Sequence, residues 1–257
     1  MTQQPAPARK ASRPHKQTAL IVAVSVFIVL ALAVAAVPLA LNFFGGRGVK
    51  TEGIDEADVR PASTDINGEW TVSTRPGANR SSAGFTFNEV LPGERRTTSG
   101  STHGVHGHVT IETGTLTSGE IRVDMTTLTS DSDVRDNNVR NKLLHAEQYP
   151  ESVFTLTRPV SVEHVPGDGS IATVELSGDL TIHGETQSIT HPFTVVRSGS
   201  RLLVAGDVPI NRLDYGVTSP EFVAATIADE GEINIRVNLA KDCLLYTSPS
   251  PRDRQKS

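Results

Sequence analysis

A strict alternation of apolar and polar side chains marks the segment Ile233-Asn234-Ile235-Arg236-Val237-Asn238-Leu239. Successive side chains of a β-strand point to opposite faces of its sheet, so this pattern predicts a strand with one apolar and one polar face. Ile121, Val123 and Met125 show the same pattern in another part of the chain. An apolar face has to be covered, which indicates a sheet packed around an apolar interior.

Other short segments of the same kind lie between turn signals. Phe85 and Phe87 share a face of one segment, and Phe154 and Leu156 share a face of another. Longer strands are expected over residues 171–182, 188–197 and 202–210. Gly, Pro, Asn and Asp residues separate these segments, as is typical of turns. The sequence therefore predicts an all-β domain with an antiparallel meander.

One interruption of the strands has helical spacing. Residues 133–145 follow the capping residues of segment 130–132, and Val139, Leu143 and Leu144 recur at the period of a helix. A single helix among long alternating strands favours a closed or nearly closed β-barrel. A sandwich of two sheets stays open as an alternative, because alternation does not report closure.

Residues 19–44 contain no charged side chain and consist almost entirely of small or large aliphatic residues and Phe. As a helix this run would be about 39 Å long, enough to cross a hydrocarbon core of about 30 Å. Residues 1–18 are basic and contain no acid. The positive-inside rule predicts a cytoplasmic tail over residues 1–18, a transmembrane helix over 19–44 and an extracytoplasmic domain.

A cleaved secretory signal is the alternative interpretation of the same run, although signal cores are usually about 7 to 15 residues long. The domain would then be secreted, and it would still reach the same side of the membrane. Residues 45–66 are rich in Gly, Pro and small or acidic side chains. We expect them to form a flexible linker to a domain that spans residues 67–241.

Residues 242–257 differ in character from the rest of the chain. Their first part, Cys243-Leu244-Leu245-Tyr246-Thr247-Ser248-Pro249-Ser250-Pro251-Arg252-Asp253, matches the translation of an adapter used in transposase-based sequencing libraries. We expect this tail to be a read-through of the adapter, with a disordered Ser/Pro-rich tail as the alternative. Cys243 is the only cysteine, so the remaining chain has neither a disulfide nor a cysteine metal ligand.

The charge of the domain argues against nucleic-acid binding. Residues 67–240 carry 13 Lys and Arg against 22 Asp and Glu, a net charge of −9. Such a domain repels phosphate backbones. The sequence also has no Gly-x-Ser-x-Gly nucleophile motif and no phosphate-binding Gly-rich loop ahead of a helix. We therefore expect a protein that is not an enzyme and does not bind nucleic acid.

Two motifs resemble metal sites, but neither has the full set of residues that such a site requires. His106 and His108 can share a strand face, but no Asp, Glu or Cys nearby completes a set of ligands. Asp131-Ser132-Asp133 begins like a calcium loop, yet its sixth position is Asp136 and its twelfth is Lys142, where Gly and Glu are required. We expect neither a metal nor a cofactor.

A small barrel can enclose a space large enough for one apolar ligand. Inward-facing aromatic and aliphatic side chains are the candidate lining of such a cavity. They are Phe85, Phe87, Phe154, Leu156, Leu180 and Phe193. For each of them, ordinary packing in a filled core is the alternative role.

Short motifs in a fixed order carry a family resemblance. They are Gly68-Glu69-Trp70-Thr71-Val72, Arg135-Asp136 followed by Leu143-Leu144, Tyr149-Pro150-Glu151-Ser152-Val153-Phe154, Gly178-Asp179-Leu180-Thr181-Ile182-His183-Gly184-Glu185-Thr186, and Asn211-Arg212-Leu213-Asp214-Tyr215-Gly216-Val217. Over residues 68–240 the chain resembles the YceI-like family of polyisoprenoid-binding, lipocalin-like bacterial proteins. It departs from the family at residues 75–82, which are longer than usual and lack the family's His-Ser pair.

The resemblance implies a lipocalin-like antiparallel barrel that holds a long isoprenoid lipid, such as a prenyl phosphate or a quinone. It adds Arg212 and Tyr215 to the candidate binding residues. Arg212 could neutralise a polar head group; a structural pair with Asp214 or a role in stabilising the turn is the alternative. Tyr149 and Pro150 are expected to shape the turn after the helix. Some relatives dimerise, so a homodimer is possible.

The function expected from the sequence is therefore binding or transport of an isoprenoid lipid at the outer face of a bacterial membrane, without catalysis. The alternative is an extracytoplasmic stress-response or interaction module whose barrel is filled by its own side chains.

Overall fold

The computed structural model describes residues 49–91, 94–219 and 226–241. Its strands are β1 (Gly68–Val72), β2 (Ser82–Leu91), β3 (Glu94–Thr102), β4 (Val105–Glu112), β5 (Thr115–Asp124), β6 (Glu151–Leu156), β7 (Val160–Ser161), β8 (Ala172–Ile182), β9 (Glu185–Ser198), β10 (Arg201–Asn211) and β11 (Thr226–Lys241). The predicted basic tail, transmembrane helix and C-terminal tail lie outside the described residues. Within the described part, no helix is long and apolar enough to cross a membrane.

Eight strands close into an antiparallel barrel in the order β1-β4-β5-β6-β8-β9-β10-β11. Closure depends on β11 pairing with β1, where Trp70 lies opposite Lys241 and Val72 opposite Leu239. The predicted all-β barrel is confirmed, and the sandwich alternative is wrong because the sheet returns to its first strand. The expected strands over residues 171–182, 188–197 and 202–210 correspond to β8, β9 and β10.

The sheet also branches at β11. Residues of its C-terminal part pair with β1, whereas residues 226–236 pair with β2. The β2–β3 hairpin extends from this branch, and Ser101 on β3 forms an isolated bridge with Thr129. The hairpin therefore continues the wall of the barrel where β1 no longer reaches.

The single predicted helix is present in a modified form. It consists of α1 (Asp133–Asn138), followed by a wider π-helical turn over Val139–Leu143. It begins after Ser132, and the buried Asp136 carboxylate accepts bonds from the backbone N–H (2.6 Å) and hydroxyl (2.5 Å) of Ser130. These bonds fix the loop before the helix, so Asp136 is a structural residue at the helix start.

The two ends of the barrel differ. At the closed end, where the β9–β10 and β4–β5 turns lie, Ile66, Trp70, Val162 and Val165 are all buried. The Trp70 indole N–H donates to the carbonyl of Ile66 (2.8 Å), which fixes this cover. The other end, which we call the mouth, carries the helix, the β2–β3 hairpin and a 3-10 turn over Arg212–Tyr215.

Residues 49–64 lie against the outer wall of the barrel, and we call them the strap. The backbone N–H of Ser63 donates to the Gly199 carbonyl (2.9 Å) at the closed end. Further up the wall, Arg236 donates to the Gly53 carbonyl (3.0 Å). Lys50 lies 2.6 Å from the Glu232 carboxylate. The described part of the predicted flexible linker therefore follows the barrel surface.

The strap changes the environment of the polar face of β11. Asn234 and Asn238 point away from the cavity, yet they are 0% and 5% exposed. Asn234 receives a bond from Thr86 (2.6 Å), and Asn238 donates to the Asn79 carbonyl (3.0 Å) in the β1–β2 loop. The alternation correctly predicts which side chains face inward, while the strap and this loop bury part of the outer face.

We expect attachment of the strap to weaken in acid. The hydrogen bond from Lys50 lowers the pKa of the Glu232 carboxyl. A lowered folded-state pKa stabilises the folded state above the ordinary carboxyl value of about 4.3, and this contribution is lost as the pH falls through the folded value. Exposed pairs contribute at most about 1 kcal/mol, so the protection of residues 50–55 should fall up to about fivefold.

Hydrogen exchange corrected for intrinsic rates measures this change, with β10 as the internal reference. Glu232→Gln should reduce protection of residues 50–55 at neutral pH and remove its response to acid. Equal acid sensitivity in the parent and the variant would show that another group controls the strap.

Candidate ligand cavity

A long apolar cavity occupies the inside of the barrel. Its lining on β8 extends from Val174 to Ile182, about 26 Å at 3.3 Å per residue. The volume open to the centre of a water molecule is about 230 Å³. So small a volume over this length describes a narrow channel, which suits an extended chain better than a rounded ligand.

All eight candidate binding residues lie on this cavity: Phe85, Phe87, Phe154, Leu156, Leu180, Phe193, Arg212 and Tyr215. The rings of Phe85 and Phe87 are 6.2 Å apart. Leu180 and Phe193 are among the buried core residues. The structure thus brings together every residue that the sequence singled out; their contact with a ligand stays a prediction.

Two glycines let aromatic rings lie flat against the wall. A Cβ at Gly178 would be 2.4 Å from the ring of Phe154, and one at Gly206 would be 2.7 Å from the ring of Phe193. Side chains at these positions would push the rings into the channel. The glycines therefore help to keep it open.

Two parts of the lining were not predicted from the sequence. One is the aliphatic half towards the closed end, which includes Val109, Ile111 and Val174. The other is the helix, whose Val139 and Leu143 face the channel near the mouth. The odd positions of β11 and the helical spacing of residues 139–144 were the signals that could have identified these surfaces.

Charged groups are rare on the lining within the described residues. They are Glu89 and Arg212, both near the mouth. Thr98 and Ser152 are 3% and 8% exposed, and their hydroxyls face no hydrogen-bond partner among the described residues. Because buried hydroxyls are normally paired, these two are free to bond a polar atom of a ligand.

Arg212 holds together the chain segments at the mouth. Its guanidinium donates to the carbonyls of Val217 (2.6 Å), Ala228 (3.1 Å) and Ile227 (3.3 Å), and to the Asp229 carboxylate (2.8 Å). The salt-bridge partner is Asp229, so the expected pair with Asp214 is not the contact formed. These bonds support the turn-stabilising alternative.

Tyr215 follows Arg212 in the same 3-10 turn and is 2% exposed. Burial raises the pKa of its phenol, and the adjacent Asp214 carboxylate raises it further. The hydroxyl is therefore neutral over the whole physiological range. It contributes no charge to the cavity.

A ring cluster lies at the mouth around His183. Tyr149 packs edge-on against it at 4.7 Å, and the His145 ring lies 5.4 Å away. The backbone N–H of Tyr149 donates to the His145 carbonyl (2.9 Å), and Pro150 accepts from Met125 (2.8 Å). Tyr149 and Pro150 thus occupy the turn between the helix and β6.

The histidines of the β3–β4 region are separately engaged. His103 contacts the Ser81 carbonyl (2.8 Å), and His106 contacts the Glu151 carboxylate (3.2 Å). Over the described ranges, no group of three or more His, Cys, Asp or Glu side chains could hold a metal ion.

A closed barrel around a long apolar channel defines a class of small ligand-binding β-barrels. Within that class, the family model described as the YceI-like domain matches residues 70–239. The chain belongs to the YceI-like family, which confirms the resemblance seen in its motifs. A search of curated proteins gave no match.

The chain is similar to several solved structures at low sequence identity. A polyisoprenoid binding domain from Saccharophagus degradans, implicated in plant cell wall breakdown, is 17% identical with a TM-score of 0.51, covering 63% of this chain and 98% of that one. BcnA from Burkholderia cenocepacia is 21% identical with a TM-score of 0.49 (62% and 94% covered). The YCEI protein of Campylobacter jejuni is 14% identical with a TM-score of 0.42 (76% and 99% covered).

We expect Arg212→Ala to destabilise the domain by about 2–4 kcal/mol, because it leaves three partly buried carbonyls without their donor. Asp214→Asn, the matched control, should change stability by less than about 0.5 kcal/mol because Asp214 does not bond Arg212. Urea unfolding of the purified protein measures both. Equal losses of unfolding free energy in the two variants would indicate that Arg212 and Asp214 do act as a pair.

Proposed function

We propose that this protein binds a long isoprenoid lipid with an uncharged head group in its barrel, and that it works without catalysis at the outer face of a bacterial membrane. The observation that carries the proposal is the length and apolar lining of the channel. The polyisoprenoid-binding description of its structural relative from Saccharophagus degradans agrees with it.

The channel favours an apolar chain for a simple energetic reason. Each Å² of apolar surface removed from water contributes about 25 cal/mol, so a chain enclosed over about 26 Å gains stability along its whole length. Val174, Leu180 and Val237 offer such a chain only aliphatic contacts. A polar ligand would lose its hydration there without new hydrogen bonds.

The charge on the lining distinguishes the two expected lipids. A phosphate head carries more than one negative charge and needs a cation with free donors. Arg212 already donates to three carbonyls and to Asp229, and Glu89 would repel an anion. A quinone head is neutral, so it needs no counter-charge and is not repelled by Glu89. The geometry therefore favours a quinone over a prenyl phosphate.

The hydroxyls of Thr98 and Ser152 supply the polar contacts that a quinone needs. Both are donors without a partner on the described lining, and the carbonyl oxygens of a quinone are acceptors. Thr98 lies on β3 opposite Phe87, and Ser152 lies on β6 opposite Val123. Both positions are in the half of the barrel towards the mouth, where the head of an inserted lipid would stop.

The apolar run over residues 19–44 and the basic residues before it support a location at the membrane. The proposal includes an uncleaved anchor with its N-terminus in the cytoplasm. A homodimer stays a prediction and forms no part of this proposal.

Native mass spectrometry of the full chain, purified in mild detergent, should show a co-purifying isoprenoid. Added quinone and prenyl phosphate of equal chain length should differ at least about tenfold in affinity, because the phosphate would be desolvated without a counter-charge. Equal or tighter binding of the phosphate would contradict the uncharged head group. Failure of both lipids to bind would favour the interaction module without a ligand.

Thr98→Val and Ser152→Ala test the head-group contacts. Each removes a buried hydroxyl that has no partner, so the ligand-free protein should be as stable as the parent or more stable by about 1 kcal/mol. Affinity for the quinone should fall about five- to tenfold, while affinity for a hydrocarbon of the same length should stay unchanged. Titration calorimetry measures the affinities, and thermal unfolding measures the stability of the ligand-free protein. Unchanged quinone affinity in both variants would reject these contacts.

A further inference from the structure

The described part of the chain exposes five large apolar side chains, and their distribution is uneven. Val90, Val134 and Leu213 are 48%, 72% and 46% exposed. They lie at the mouth on three different elements: the β2–β3 hairpin, α1 and the 3-10 turn after β10. Ile171 is exposed in the loop before β8, at the closed end, and Val49 begins the strap. We call Val90, Val134 and Leu213 the rim.

The course of the strap determines where the preceding chain leaves the barrel. β1 begins at the closed end, so a segment that ran straight away from the start of β1 would leave the barrel at the closed end. The strap instead follows the outer wall from the β9–β10 turn to Glu232, which lies opposite Pro209 near the mouth end of β10. The distance from Ala240 to Glu232 along β11 is about 26 Å. The chain therefore leaves the described domain near the mouth.

The apolar run over residues 19–44 is close in sequence to this exit. Lys50 lies six positions after Phe44, and an extended chain spans at most about 3.5 Å per position, or about 21 Å in all. A bilayer that holds the apolar run can then be no further than this from the mouth half of the wall. The closed end is a further barrel length away.

We propose that the rim is a docking surface for the lipid bilayer, and that the strap holds the mouth of the barrel towards the membrane so that the isoprenoid enters directly from the lipid phase. This inference rests on the proposed function, because it assigns an orientation to the same cavity. A short tether raises the local concentration of the domain at the bilayer, so a few apolar side chains suffice for contact.

The charges at the mouth indicate how the rim contacts lipid. Exposed acidic residues at this end of the barrel include Asp133, Glu185, Asp214, Asp229 and Glu230. Lys142, in the π-helical turn, is an exposed cation at the same end. An acidic surface gains nothing from anionic lipids, so contact occurs through apolar insertion and does not need a negatively charged membrane.

Fluorescent labels on the full chain test the orientation. Single cysteines are placed at Val134, Leu213 and Ile171 in a Cys243→Ser background, labelled with bimane and reconstituted in phosphatidylcholine vesicles that contain a head-group nitroxide lipid. Labels at Val134 and Leu213 should be quenched at least about twofold more than the label at Ile171, because only the rim reaches the lipid. Equal quenching at all three sites, stronger quenching at Ile171, or failure of the chain to partition into vesicles overturns the proposal.

A transfer assay tests the consequence. In Val134→Asp/Leu213→Asp, uptake of a quinone from vesicles should slow about tenfold, because a charged rim no longer inserts, while quinone affinity in detergent stays at the parent value. Ile171→Asp, the matched control, should change neither. Normal affinity together with an unchanged uptake rate in the rim variant overturns the docking surface and leaves the ligand proposal intact. If the parent protein itself does not bind the quinone in detergent, the proposed ligand is rejected instead.

Discussion

Closure of the sheet through three residue pairs between β1 and β11 is the constraint on which the rest of the structure depends. It joins Trp70 to the last strand, and Trp70 in turn bonds Ile66 and covers the closed end. A sheet that did not close would expose the apolar odd positions of β11 to water. Because it closes, those side chains face one another across a channel, and the barrel has an inside that can remain apolar.

The branch at β11 decides where the barrel opens. Only its last residues pair with β1, and the rest of the strand pairs with β2, so the wall continues as a hairpin towards the mouth. The helix and the turn held by Arg212 lie at the same end. Backbone carbonyls that a longer β-ladder would pair are satisfied by one guanidinium instead. The turn at the opening therefore depends on the side-chain hydrogen bonds of Arg212, whereas the closed end combines strand pairing with the bond from Trp70 to Ile66.

Sequence reasoning was most successful where one physical rule acts alone. Alternation predicted the strands and six inward-facing candidates that lie on the cavity, Phe154 among them, and the family motifs added Arg212 and Tyr215. It failed where a segment without periodicity becomes ordered by contacts distant in sequence. The strap has a composition typical of a linker, yet its Lys50 forms an ion pair with Glu232, which lies 182 positions later in the chain. A pair with Asp214 was one alternative for Arg212 because the two are close along the chain, whereas the folded chain pairs Arg212 with Asp229.

By itself, the sequence determined the strand periodicity, the inward set of apolar residues, the family and the apolar N-terminal run, because each depends on neighbours within a few positions. Tertiary structure alone decided that the alternating strand closes the barrel and that its polar face at Asn234 and Asn238 is buried. It also decided that the Arg212 donors are occupied. These features arise from pairing between distant segments, which the local pattern of side chains does not encode.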